Sequence, residues 1–300
     1  MELEHEEVWI LFKHLSLIVF RKHCMLVVLF LILLEILHIL RITLLDGWNV
    51  TTQTWFVLGS GSGTNGLVLT LAFDSSKQIL YVGGKFTTNG SGSLSLNYIG
   101  GYFISNQTWF PLGTNSSNGI VNNGFVFVDA LTFDNSNKIL YIGGQFSNVS
   151  GSFSSPVNNI VGYNTTTETF FTLGQGSNNG IIGRVLSIAF DSVSGVLFVG
   201  GAFAKTGNNI RVNNIAGFNT TNQTWFAFGT GSGVGVNAGG IFAIVYDSVS
   251  KSIIIGGRFS STYNVDVCFG GGFVIIIFFF ASFFFLVIIA YFYFFSFLQY

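Results

Sequence analysis

The stretch LTLAFDSSKQILYVGGKF, residues 69–86, decides how this chain is read, because it returns three times. DALTFDNSNKILYIGGQF begins at 129, LSIAFDSVSGVLFVGGAF at 186 and FAIVYDSVSKSIIIGGRF at 242. The Gly pairs inside these blocks, Gly83/Gly84, Gly143/Gly144, Gly200/Gly201 and Gly256/Gly257, are 60, 57 and 56 residues apart. Between the blocks lie NYIGGYFISNQTWFPLG from 97, NNIVGYNTTTETFFTLG from 158 and NNIAGFNTTNQTWFAFG from 213. An internal repeat of about 57 residues therefore organises the middle of the chain.

Each repeat reads as four short strands. The first alternates apolar residues and ends in Phe-Asp, and the second runs through Ile-Leu-Tyr-Val-like residues into Gly-Gly. The third is Asn-Ile-x-Gly-aromatic, and the fourth is Thr-Trp-Phe-x-Leu-Gly. Turns rich in Asn, Ser and Gly separate them, and only Pro111 and Pro156 occur in the whole sequence. Four strands per repeat predict an all-β fold, a β-propeller of about four four-stranded blades flanked by N- and C-terminal apolar helices. Three whole blades fall at 66–113, 124–174 and 181–229. The opening LLDGWNVTTQTWF, residues 44–56, matches only a third and fourth strand, with Trp55 at the position of Trp109 and Trp225. The repeats end on a first and second strand at 242–259, so the expectation is a ring closed by pairing strands from both termini in one shared blade.

An apolar run, a Gly pair and then an aromatic followed seven positions later by Trp or Phe resembles the kelch repeat. Tyr102 to Trp109, Tyr163 to Phe170 and Phe218 to Trp225 all keep that spacing. The wording LYVGGxF, NxIxG and TWFxLG is most similar to the propeller repeats of fungal cortical cell-polarity marker proteins, although the units here are longer than usual kelch units. The resemblance covers residues 45 to about 260 and implies a secreted or membrane-anchored protein.

Composition points the same way. Of the 300 residues, 49% are apolar and only 8% charged, and the mean hydropathy is +0.59, which is high for a soluble globule. The excess sits at the ends. After a short polar region, 1–24, residues 25–44 open with MLVVLFLILLEILHIL behind the basic RKHC and read as a signal peptide or signal anchor. Residues 45–260 hold the repeats, 261–272 are a linker, and 273–298, FVIIIFFFASFFFLVIIAYFYFFSFL, carry no charge and suffice for a transmembrane helix. The small residues Ser260, Ser261 and Thr262, a spacer and the apolar tail also fit a lipid-anchor signal. A third reading takes these ends as gene-model artefacts on a fragment of a longer propeller protein.

Charge excludes nucleic acid as a partner. Lys77, Lys85, Lys138, Arg184, Lys205, Arg211, Lys251 and Arg258 balance a similar number of acids, which leaves no basic footprint. Catalysis is also not expected. His5, His14, His23 and His38 all precede the repeats, and Cys268 follows them, so the repeats supply no imidazole base, no imidazole metal ligand and no copper radical centre of the kind some kelch-type propellers hold. No cofactor is expected either. The Gly pairs end a strand where the chain needs positive φ or close backbone approach, and they are not phosphate loops, since no helix or Lys-Ser/Thr follows. Asp74, Asp134, Asp191 and Asp247 recur once per repeat before Ser or Asn, as turn caps do. Trp55, Trp109 and Trp225 are packing residues.

The remaining alternative is a secreted carbohydrate-active enzyme with a carboxylate pair drawn from Asp129, Glu168 and Asp266, which fall outside the repeat pattern. Eight sequons, at Asn49, Asn89, Asn106, Asn115, Asn148, Asn164, Asn219 and Asn222, lie between the apolar ends. The expectation is thus a non-enzymatic, glycosylated, membrane-anchored propeller on the lumenal or extracellular side that recognises an extracellular protein or glycan.

Overall fold

The computed structural model describes residues 16–19, 24–28, 45–58, 63–113, 118–121, 124–151, 156–229, 234–237, 239–259, 261–262 and 274–275. Nearly all regular structure in them is strand; the exception is one short 3-10 turn at Gly176–Asn178. The first sheet holds β1 (Ser16–Val19), β2 (Cys24–Val28), β3 (Asp46–Asn49) and β4 (Thr54–Val57). The second holds β5 (Leu67–Asp74), β6 (Ile79–Lys85), β7 (Ile99–Phe103) and β8 (Thr108–Pro111). The third holds β9 (Phe127–Asp134), β10 (Ile139–Gln145), β11 (Ile160–Asn164) and β12 (Thr169–Thr172). The fourth holds β13 (Ile181–Asp191), β14 (Val196–Thr206), β15 (Ile215–Asn219) and β16 (Thr224–Ala227). Then come β17 (Val236–Asn237), β18 (Gly240–Asp247), β19 (Ser252–Arg258), β20 (Ser261–Thr262) and β21 (Val274–Ile275). β18, β19 and β21 make a three-stranded last sheet, and β17 pairs with β20.

Within each four-stranded sheet neighbours in sequence are neighbours in space, and every pairing is antiparallel. Short caps hold the hairpins. Asp74 accepts hydrogen bonds from the backbone N–H groups of Ser76 and Lys77, and Asp134 does the same for Ser136 and Asn137. Asn49, Asn164 and Asn219 cap the β3–β4, β11–β12 and β15–β16 turns in the same way.

The core lies between sheets. One cluster joins Leu58 and Leu45 of the first sheet to Leu80 and Tyr102 of the second, and another joins Tyr81 and Leu112 to Leu140 and Tyr163 of the third. A third joins Tyr141 and Leu173 to Val199 and Trp225, and the last joins Phe228 and Ile215 to Ile244 and Ile255. Ring pairs cross the same boundaries: Tyr81 on Phe133 at 5.5 Å, Tyr141 on Phe190 at 5.4 Å and Phe198 on Tyr246 at 5.4 Å. Burying one large side chain of this kind contributes about 2 to 3 kcal/mol, so this layer carries most of the stabilisation.

The Gly pairs meet this layering in two ways. A Cβ on the first Gly of a pair would run into the next sheet: from Gly83 it would lie 2.5 Å from Val128, from Gly143 2.5 Å from Val185, and from Gly200 2.6 Å from Ile241. A Cβ on the second would run into a carbonyl oxygen of its own sheet's first strand: Leu67 for Gly84, Phe127 for Gly144, Arg184 for Gly201 and Gly240 for Gly257. The first Gly admits a neighbouring sheet; the second lies at a β-bulge, recorded opposite Gly83/Gly84, Gly143/Gly144, Gly200/Gly201 and Gly256/Gly257 alike.

The expectation for these glycines is therefore corrected in part. None of the eight has positive φ, so of the two reasons expected for the pairs only close approach applies. Nor do they end their strands: beyond Gly84 the strand β6 runs on to Lys85, beyond Gly144 β10 runs on to Gln145, and beyond Gly201 β14 continues to Thr206. The bulge supplies the reason. It absorbs the extra residue without a left-handed turn, and the amides of Gly84, Gly144 and Gly201 stay bonded to the carbonyls of Tyr98, Asn159 and Asn214, just ahead of the third strands.

Polar stitches reinforce the three boundaries from the second sheet to the last. Asn158 Nδ2 donates to the carbonyl of Asn179 at 2.7 Å, and Asn159 Nδ2 to the carbonyl of Ile181 at 2.9 Å. Asn213 and Asn214 reach Val234 and Val236 in the same manner, and Asn97 reaches Asn118. Asn159 and Asn214 also accept from the N–H groups of Phe146 and Phe203. The Asn-Asn-Ile motif is thus an inter-sheet clamp. Its second asparagine adopts left-handed backbone, φ 60° at Asn159 and 71° at Asn214, which Asn tolerates better than most residues.

Two further expectations are corrected. The ring closed by pairing the termini is not formed: β3 pairs antiparallel with β2, Leu26 opposite Trp48 and Val28 opposite Asp46, and β19 pairs with β21. The physical reason is local supply, since apolar residues just upstream offer β3 a nearer partner than a strand about 200 residues away. The flanking apolar helices are likewise not seen: Cys24–Val28, at the start of the expected signal segment, is a strand, and so is Val274–Ile275 at the start of the expected membrane span. The rest of both segments lies outside the described residues, among which no helix is long and apolar enough to cross a membrane.

Candidate functional site

Antiparallel succession gives each sheet two ends. The turns between first and second strands and those between third and fourth strands lie at one end. The connections from second to third strand, and from one sheet to the next, lie at the other.

The first end carries most of the sequons. Asn106 and Asn222 are exposed on the β7–β8 and β15–β16 turns, and each accepts a hydrogen bond from the hydroxyl of its own sequon threonine, Thr108 or Thr224. Asn49, Asn164 and Asn219 are half-buried where those turns begin, with their Oδ1 atoms committed to the caps described above. At the opposite end Asn148 is exposed. Asn89 there is 8% exposed, with Nδ2 donating to Ser91 and Ser93. Asn115 lies outside the described residues.

The first end is also where the repeated aspartates sit. Asp191 accepts from Ser194, from Tyr246 of the last sheet and from Val193 N–H. Burial alone would push its carboxyl up, but these hydrogen bonds outweigh it and hold the pKa below the usual value. Tyr246 moves the other way, pushed up to about 12 by burial and by its bond to Asp191. Spread over successive turns, these aspartates do not gather into one centre. Among the described residues no group of three His, Cys, Asp or Glu could hold a metal ion.

The carboxylates outside the repeat do not meet either. Asp129, 2% exposed on β9, is clasped by Arg184 of β13, whose Nε and Nη2 lie 2.8 and 2.9 Å from its two oxygens. Glu168 is exposed on the β11–β12 turn, with φ 57°, and Asp266 lies outside the described residues. Asp129 and Glu168 therefore occupy a strand and a turn on different layers of the third sheet.

Around Asp129 the second end acquires its own character. Arg184 stands 4.3 Å from the centre of the Phe127 ring, and Lys85 Nζ stands 5.1 Å from it. Three successive sheets thus contribute to one cluster: Lys85 from the second, Phe127 and Asp129 from the third, Arg184 from the fourth. Sequence reasoning named Asp129 but missed its partners. The signal was available as departures from the repeat: Asp129 stands where the other blocks have Leu69, Leu186 and Phe242, and Arg184 where they have Leu67, Phe127 and Gly240.

The aromatic pairs vary by position. Tyr102–Trp109, Tyr163–Phe170 and Phe218–Trp225 lie 5.1, 4.7 and 4.8 Å apart, and Trp225 Nε1 donates to the carbonyl of Leu173 on the preceding sheet. Trp48–Trp55 keeps the same 5.1 Å spacing, yet Trp55 is 50% exposed.

No protein-family profile matches the chain, and no curated protein matches it. Among solved structures, 510 chains match. One is the extracellular domain of BT4673 from B. thetaiotaomicron, described as a one-component system, with a TM-score of 0.47, 13% identity, 81% of this chain covered and 26% of that one. Another is the extracellular domain of BT4673 described as a hybrid two-component system, with a TM-score of 0.49, 14% identity and 81% and 25% coverage. The chain spans about a quarter of the length of these structures.

Proposed function

We propose that this chain is a kelch-type β-propeller repeat domain, displayed outside the cell on a membrane anchor, that recognises a protein or glycan without catalysing a reaction. The observation that carries the reading is the polarity of the sheets. Five sequon asparagines, Asn49, Asn106, Asn164, Asn219 and Asn222, lie at one end on the turns between third and fourth strands. Glycans there, against Asn89 and Asn148 among the described sequons at the other end, leave the longer connections of that other end the more open to a partner. The uncharged run 273–298 supplies the anchor in sequence terms, and the tie between Asp129 and Arg184 speaks against a free carboxylate pair.

Expression in secretory cells tests this directly. Glycopeptide mapping is expected to find sugar at Asn106 and Asn222, and detergent is expected to be required for extraction. Shortening the connection at 206–210 while the fold persists is expected to abolish binding to cells or matrix, whereas Asn→Gln changes at the sequon turns leave it intact. Binding that survives loss of the connecting loops overturns the recognition reading.

A further inference from the structure

Resting on that reading, we propose that Lys85, Phe127 and Arg184, with Arg184 fixed by the buried Asp129, form a binding site for the carboxylate of an acidic saccharide.

In a repeat fold, positions filled alike in every unit serve the scaffold. The scaffold does not require an ion pair here, because Leu69 and Leu186 occupy the Asp129 position in neighbouring sheets and are equally buried, at 6% and 7% exposure. A buried carboxylate costs folding energy even when paired, so its presence on one sheet only calls for another reason. Its effect on Arg184 supplies one. Two guanidinium nitrogens are held on Asp129, which fixes the plane of the group, while the side chain remains 32% exposed and Nη1 makes no hydrogen bond among the described residues. A guanidinium fixed in this way is prepared for a second carboxylate.

Lys85 adds a second cation on the same Phe127 ring. It is exposed at the end of β6, and its only interaction among the described residues is with the Phe127 ring. Asp129 and Arg184 cancel, so the cluster carries the single positive charge of Lys85, which matches a ligand with one carboxylate at a time. Phe125, two residues before Phe127, is 80% exposed and offers a face for the C–H side of a sugar ring. A peptide carboxylate has no comparable rigid apolar face. The cluster also lies at the end opposite the third-to-fourth-strand turns that carry five of the sequons.

The test is calorimetric titration of the full chain with trigalacturonic acid, with galactotriose as the neutral control and hexaglutamate as the peptide control. Binding of the acid alone is expected, weakening as salt rises. Lys85→Gln, at an exposed site that cannot compromise folding, is expected to weaken it about tenfold. Arg184→Lys, which keeps the charge but not the fork, is expected to weaken it by a similar factor, with circular dichroism confirming the fold. The proposal is overturned if the folded protein ignores trigalacturonic acid, if Lys85→Gln changes nothing, or if galactotriose or hexaglutamate binds as well. Cell or matrix binding that persists in Lys85→Gln overturns this site and leaves the recognition reading standing; loss of all binding on loop shortening is the separate test of that reading.

Discussion

The hairpins carrying Trp55 and Trp225 are the same structure in two settings. Their ring pairs, at 5.1 and 4.8 Å, are nearly equal in spacing and both are tilted, 59° in one and 50° in the other. Yet Trp55 is 50% exposed and Trp225 only 4%. The hairpin makes the pair; the preceding sheet buries it. Local geometry in this chain is thus set by the repeat, and stability by the neighbour.

The most demanding test of that division is a pair of truncations. Trp225→Ala empties a buried site and strands the carbonyl of Leu173, and is expected to cost about 4 kcal/mol in urea denaturation. Trp55→Ala on the first sheet is expected to cost about 1 kcal/mol or less. Equal costs would break the comparison. Next in size is the bulge glycine, where the neighbour should not matter. A Cβ would lie 1.9 Å from a carbonyl oxygen at Gly144 in the interior and 2.2 Å at Gly257 in the last sheet, so an Ala at either position is expected to cost about 3 kcal/mol by the same melt. Asn159→Ala removes the clamp between third and fourth sheets and leaves Phe146 N–H without its acceptor, for an expected loss of about 2 kcal/mol.

The smallest effect is on pH dependence. Asp191 titrates below the ordinary aspartate value, so its contribution is fully present above about pH 3.9 and is lost as the pH falls through its lower folded value. Asp191→Asn is expected to flatten the acid limb of stability in melts between about pH 5 and about pH 2. An unchanged limb would assign acid sensitivity elsewhere.

What could be read in advance follows the same division. Alternation in LTLAFD, the Asp caps and the Asn caps are local, so strand type, order and turn positions were readable from residues within one repeat. The partner of β3 was not. The run from Cys24 onward is apolar at every other position and in between, and such a run reads equally as a helix or as a buried strand. The Gly pairs announced a close approach, but whether Gly84 or Gly201 turned the chain or sat in a bulge depended on the register of the first strand opposite. The asparagine before the isoleucine of the Asn-Asn-Ile motif read as the start of a third strand, and only the carbonyls 21 or 22 residues further on reveal the use of the Asn-Asn pair. Asp129 stood out as an irregularity, but the choice of Arg184, 55 residues away on another sheet, depends on how sheets stack.

Those clamps also span little chain. Asn97, Asn158, Asn159, Asn213 and Asn214 reach carbonyls 21 to 22 residues later, and Asn118 and Asn179 reach back across the same boundaries to the carbonyls of Ser95 and Pro156. A sheet made from the N-terminus onward therefore finishes its own hairpins first and is locked as soon as the next short length of chain appears. The order of assembly is written into the side chains, and an interrupted chain is left with a single unlocked margin, always the most recently made.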